Sequence, residues 1–149
     1  MRVVLQRVSR ARVLVDGSVT GEIGPGLVVL IAVGREDVSA TAVATAEKIV
    51  NLRIFSDDQG KMNRSVLDTG GAILAISQFT LYGDAHGQRR PSFIQAAPPE
   101  VGKALYDEFV LALRALVAHV ETGVFQADMS LELTNDGPVT ILLDSDKTF

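Results

Sequence analysis

Asn135-Asp136-Gly137-Pro138-Val139-Thr140, set between two apolar runs near the C-terminus, decides how the rest of the chain is read. Asn/Asp-Gly between alternating hydrophobic residues is a strong short-range hairpin signal. Pro138 contradicts a simple hairpin, because it has no N–H to give to a ladder and stands where the second strand should begin pairing. A proline there implies that the backbone carbonyls face something other than a partner strand. A cis bond between Gly137 and Pro138 is one way to aim two consecutive carbonyls alike, although the base rate of cis, about one X-Pro bond in twenty, favours trans. An edge-strand proline in an ordinary turn is the competing reading.

The 149 residues, 47% hydrophobic and 21% charged, suit a single domain, 1–149, with a sizeable core. No apolar run approaches the length of a membrane span; the longest is Leu27–Val33. The chain opens with strand-like sequence rather than a signal peptide, which leads to the expectation of a cytoplasmic protein. With no cysteine there is neither disulfide nor thiolate nucleophile, and His86 and His119 do not form a zinc-binding cluster. A formal charge of −4 argues against broad contact with a phosphate backbone but leaves room for a small local one.

In chain order, Arg2–Val8 and Ala11–Val15 read as two strands, with Asp16-Gly17 closing the second. Period-2 alternation points Arg7 opposite to Arg2, and an inward arginine needs acceptors such as backbone carbonyls. Leu27–Val33 reads as a strand buried on both faces. Asp37 or Ser39 is expected to cap a helix running to about Asn51, with Val43, Ala46, Ile49 and Val50 at helical spacing. Ser56–Lys61 is a loop, and its adjacent aspartates suit a solvated turn better than a calcium site. Ala72–Ile76 is a second apolar strand that runs into Ser77-Gln78-Phe79-Thr80-Leu81, where polar groups at a strand end are placed to line a pocket. Ser77 lacks a nucleophile elbow and a nearby base, so a serine hydrolase is poorly supported, and His86 is expected to be exposed in its loop. In the long connection 83–99, Arg89 and Arg90 beside Phe93 suit phosphate and base, or simply solvent. Pro98-Pro99-Glu100 opens an amphipathic helix expected to reach about Val120, with Val101, Leu105, Phe109, Leu113, Leu116 and Val120 on one face and His119 at its C-terminal end. Strands follow at Met129–Leu133 and Val139–Leu143, and 144–149 reads as a flexible tail. Residue by residue, this is an α+β domain with a pocket but no side-chain catalytic set.

Ser77-Gln78-Phe79-Thr80-Leu81 and Asn135–Thr140, with Gln6-Arg7-Val8, Gly60-Lys61-Met62-Asn63, Arg90-Pro91-Ser92-Phe93 and Ala127-Asp128-Met129, resemble the D-aminoacyl-tRNA deacylase family in order and spacing from Met1 to about Leu143. The resemblance implies a homodimer with a β-barrel-like core of two packed sheets and two main helices. It implies hydrolysis of the ester joining a D-amino acid to the 3′-terminal adenosine of tRNA, with no metal or cofactor, no membrane and no DNA. The Gly137-Pro138 bond would be cis, and its loop would enter the partner subunit's pocket. There it would accept from the substrate ammonium and block the side chain of an L-amino acid; glycyl-tRNA would pass the same filter. Ser77 and Gln78 would hold the ester and adenosine, amides near Phe79-Thr80 would stabilise an oxyanion, and Arg7, with Met129, would support the Gly137-Pro138 loop. Thr80 is a candidate nucleophile without a base to activate it, so the ribose 2′-OH is the favoured activator of water. The alternative is a non-catalytic RNA 3′-end or nucleotide-binding module using the same pocket.

Overall fold

The computed structural model describes residues 1–149. Its strands are β1 (Arg2–Val15), β2 (Ser18–Ile23), β3 (Gly26–Ala32), β4 (Phe55–Ser56), β5 (Met62–Arg64), β6 (Ala72–Ser77), β7 (Val120–Thr122) and β8 (Ser130–Asp144). Its helices are α1 (Ser39–Asn51), α2 (Val66–Thr69) and α3 (Pro99–Leu116), with a 3-10 turn at Phe79–Tyr82. One six-stranded mixed sheet runs β2-β1-β3-β6-β7, and β8 pairs along the other side of β1. It curls into a nearly closed barrel instead of forming two packed sheets. Where its ends meet, a Cβ on Gly21 would lie 2.6 Å from the Thr122 carbonyl, so β2 can approach β7 only because that residue is glycine.

The two strands expected at the N-terminus are one. Irregularities against β8 at Gln6/Val8 and Val8/Arg10 let β1 bend without breaking, which is what bulges do to a twisted sheet. They also switch its buried face. Val3 and Leu5 join the core beneath the helices, whereas Val8, Ala11 and Val13 point into the barrel. The same two cores explain the unbroken apolar run of β3: Leu27, Val29 and Ile31 face the helices while Val28 faces the barrel.

Helix α1 begins after Val38, not with an Asp37 or Ser39 cap; Thr41 Oγ1 accepts from the Val38 amide at 3.3 Å. Asp37 is engaged elsewhere, by the Gly34 amide and the Met1 nitrogen, each at 2.6 Å. Its buried face uses Ala42 with Ala46, Ile49 and Val50, and Val43 lies on the exposed side. Helix α3 stops at Leu116, earlier than its hydrophobic spacing predicts, and Val120 starts β7 alongside β6. His119 therefore lies off the helix and pairs with Glu121 at 3.0 Å. Phe109, fully buried at the centre of α3, is worth about 3 kcal/mol relative to an exposed position. β2, β7 and the four-residue α2, capped by Ser65 and Asp68, carry too little periodicity to be read locally. The 144–149 segment forms a turn in which the Ser145 amide donates to the Met1 carbonyl at 2.9 Å.

Candidate active site

β6 runs parallel to β3, and the pairing ends at Ile31 opposite Ser77. The Gln78 amide makes one more bond, to the Ile31 carbonyl at 2.7 Å, and the chain then folds into the Phe79–Tyr82 turn, closed by Leu81 N to Gln78 O at 3.1 Å and Gly83 N to Thr80 O at 2.9 Å. A cleft of ≈ 590 Å³ opens at this point, lined by Ser77, Gln78 and Phe79 on one side. The other walls are Phe93, Ala96 and Ala97 from the long connection, Pro99 and Gly102 from the start of α3, and Phe125-Gln126-Ala127 ahead of β8. Phe79 is 56% exposed and meets Phe93 edge-on, with ring centroids 5.2 Å apart. Gln78 Nε2 donates to Thr80 Oγ1 at 2.5 Å, which fixes the amide of one against the hydroxyl of the other. The Phe79 and Thr80 amides open a 3-10 turn and have no i−3 carbonyl within it, and no turn or cap bond elsewhere takes them up. They are adjacent free donors, and Phe79 is part of the cleft wall.

None of the residues lining the cleft has an ionisable side chain. His86, on the following loop, is 99% exposed and is held by Asp84 at 2.6 Å, outside the lining. The chemistry available to the protein here is therefore neutral hydrogen bonding, from the Ser77 hydroxyl, the Gln78 amide and backbone N–H groups, in a largely apolar wall.

Asn135–Thr140 lies elsewhere. No hairpin forms, since both flanks pair with β1, Asn135 opposite Val8 and Thr140 opposite Gln6, and the surplus residues of β8 bulge outward. The Asn135 side chain closes the base of the bulge, accepting from Val139 N at 2.8 Å and donating to Thr140 Oγ1 at 3.1 Å. Arg7 does point inward. Its side chain is 12% exposed, with Nε donating to the Asp136 carbonyl at 2.9 Å and Nη1 to the Ile54 carbonyl at 2.7 Å. The carbonyl it grips is thus that of Asp136, one residue before the Gly137-Pro138 pair. The Gly137-Pro138 peptide is cis and Gly137 has φ +134°. Both residues are exposed, and neither lines the cleft of its own chain. Along β3, Arg7 is opposite Leu27 and Ser77 is opposite Ile31, a separation of roughly 13 Å in the strand direction alone.

Met129 is half-buried against Gly123 and the barrel core, next to the Phe125–Ala127 wall, at the end of β8 remote from Gly137. Within one chain the fold thus gathers Ser77, Gln78 and Phe79, with Thr80 beside them, and sets Arg7, Gly137 and Pro138 apart. Phe125, Gln126 and the Pro99–Gly102 segment were invisible to local reading: they reach the cleft only because β7 and α3 pack beside β6.

The family model described as D-Tyr-tRNA(Tyr) deacylase matches residues 4–144. The chain belongs to this family. Curated relatives named D-aminoacyl-tRNA deacylase include one from Symbiobacterium thermophilum, 62% identical over 100% of this chain and 99% of its own, and one from Koribacter versatilis, 59% identical over the whole of both. Among solved structures, one described as c-Myc DNA Unwinding Element Binding Protein superposes with a TM-score of 0.92 at 39% identity, covering 97% of this chain and 99% of that one. A probable eukaryotic D-amino acid tRNA deacylase, 21% identical over 95% of this chain and 97% of its own, shares the deacylase family's fold with a TM-score of 0.82.

Proposed function

We propose that this D-aminoacyl-tRNA deacylase hydrolyses the ester of D-aminoacyl-tRNA, and of glycyl-tRNA, in the cytoplasm and as a homodimer whose Asn135–Thr140 loop enters the partner's cleft. The observation that carries the reading is a cleft walled by Ser77, Gln78 and Phe79, without ionisable side chains, in a chain of this family. In it the terminal adenosine stacks near Phe79 and Phe93, while Ser77 and Gln78 hold the ester. Water, positioned by the ribose 2′-OH, attacks the ester carbonyl. The developing oxyanion is met by the Phe79 and Thr80 amides, which no backbone carbonyl takes up. Collapse breaks the bond from carbonyl carbon to ribose oxygen, which takes up a proton to leave free tRNA and the D-amino acid. Backbone carbonyls of the Gly137-Pro138 loop receive the substrate ammonium and occupy the space an L side chain would need, so discrimination works by exclusion.

The lack of an acid–base pair in the cleft favours one second reading, a non-catalytic module that binds an RNA 3′ end. Matched D- and L-tyrosyl-tRNA, incubated with the purified protein and a chelator, separate the two. Release of the D-amino acid alone is expected. Protection of both esters would establish the binding module, and equal cleavage of both would refute the loop as a chiral filter.

A further inference from the structure

Two buried side-chain polar atoms in this protein lack a hydrogen-bond partner, Arg2 Nε and Tyr82 Oη, and they belong to residues in contact with each other. Arg2 is the neighbour of Ala32 on β3 and of Asp144 on β8, outside the cleft lining. From there Nη1 donates to the Leu81 carbonyl at 3.2 Å, and the guanidinium carbon lies 4.7 Å from the centre of the Tyr82 ring. Leu81 and Tyr82 are the second half of the turn whose first half presents Phe79 and Thr80. The last carbonyls of a helical turn have no internal acceptor role left to fill, so a side-chain donor there sets how the turn sits. Arg2 is in turn held by Asp144, whose carboxylate is 1% exposed and 3.5 Å from Nε, an ion pair without hydrogen-bond geometry. Burial opposes ionisation of Asp144, but the Thr148 hydroxyl, the Asp146 amide and Arg2 outweigh it and hold the carboxyl below its usual range.

For stability alone, a partly buried arginine with an unsatisfied nitrogen is a poor choice; an apolar residue between two strands would do as well. What an apolar residue cannot do is grip a carbonyl and an aromatic face of the same four-residue turn. We propose that Arg2 is a positioning residue for the hydrolysis: oriented by Asp144, it holds the Leu81-Tyr82 half of the turn so that the Phe79 and Thr80 amides keep their aim at the cleft. This rests on the reading that those amides meet the reacting ester.

The test uses full-length Arg2→Ala and Arg2→Lys proteins with D-tyrosyl-tRNA. Since a displacement of about 1 Å in a catalytic donor costs on the order of a hundredfold, kcat of Arg2→Ala is expected to fall ~10- to 100-fold, with KM within about twofold. Arg2→Lys, which keeps the charge but loses the planar fork, should lie between, and added guanidinium should restore part of the Arg2→Ala rate. In 15N-labelled protein without substrate, the Phe79, Thr80 and Leu81 amide signals should move in both variants while that of Gly137 does not. Unmoved signals with wild-type kcat in Arg2→Lys would overturn the proposal, as would a raised KM at unchanged kcat. Should Arg2→Ala not fold, Arg2→Lys and its amide shifts decide alone. If the wild-type protein cleaves no ester, the functional reading fails, and the amide shifts still report whether Arg2 sets the turn.

Discussion

The cleft beside β6 and the loop on β8 are built on opposite plans. The cleft is walled on several sides by one chain, and its polar groups are tied to one another, Gln78 to Thr80 and the turn to its own carbonyls. The loop is tied at its base, by Asn135 and Arg7, while Gly137 and Pro138 are exposed to solvent. A backbone feature braced from behind and bare in front is shaped for something outside the chain. The proposed division of labour follows: the cleft supplies binding and electrostatic stabilisation, and the loop supplies selection.

The sharpest way to break this contrast is Gly137→Ala. A Cβ there would lie 2.8 Å from Val139 Cγ2 and 3.0 Å from Arg7 Nη2, on a backbone with φ +134° that L side chains rarely adopt. The loop must shift, and kcat/KM for D-tyrosyl-tRNA is expected to drop about a hundredfold while the cleft still binds adenosine. Wild-type rates and selectivity in this variant would remove the loop from the reaction.

Arg7→Ala tests the brace. Leaving the Asp136 and Ile54 carbonyls without their charged donor should cost about 2 kcal/mol of stability by denaturant unfolding. It should also let L-tyrosyl-tRNA be cleaved at a measurable rate. Undiminished rejection of the L substrate would show that the loop holds its shape without Arg7.

Thr80→Ala probes the cleft. Its hydroxyl receives the Gln78 amide, but its backbone N–H is retained, so activity within about tenfold of wild type is expected for the loss of one neutral hydrogen bond. Complete inactivity in a folded variant would instead make Thr80 the nucleophile.

The smallest effect concerns the frame behind both regions. Burial pushes the Tyr82 hydroxyl well above its ordinary range, helped by Asp37 and Asp144, and burial does the same for Tyr106, whose hydroxyl donates to the Ala75 carbonyl at 2.9 Å. A phenol whose folded pKa is raised contributes stability that is complete below the unfolded value near 10 and is lost as pH climbs beyond it. Absorbance of phenolate at 295 nm should therefore stay flat until the protein unfolds at alkaline pH. A rise at pH 10 in folded protein would mean that one tyrosine is more open than its packing implies.

Much of the fold was legible locally because its signals are short in range. The double-faced burial of Leu27–Ala32, the apolar strand before Ser77 and the stripe of α3 all follow from periodicity. The boundaries that failed did so where packing overrode pattern. Val120 continues the helical spacing yet joins β6 as a strand, and Arg2–Val15 contains a polar break at Ser9-Arg10 that a bulge absorbs. Of the site, Ser77–Thr80 was marked by an abrupt change of polarity, and Pro138 by its lack of an N–H.

By itself, then, the sequence determined that Pro138 has no N–H to give to a ladder, that Arg7 points opposite to Arg2, that a core strand has a polar end and that no titratable catalytic pair is marked, because each depends on residue type and spacing alone. Only the tertiary structure decided that Asn135–Thr140 is a bulge and not a hairpin, that Arg7 grips Asp136 and Ile54, and that Phe93, Phe125 and the start of α3 wall the cleft. Those outcomes depend on which strands pair and how a sheet closes, contacts between residues far apart in the chain that no local pattern encodes.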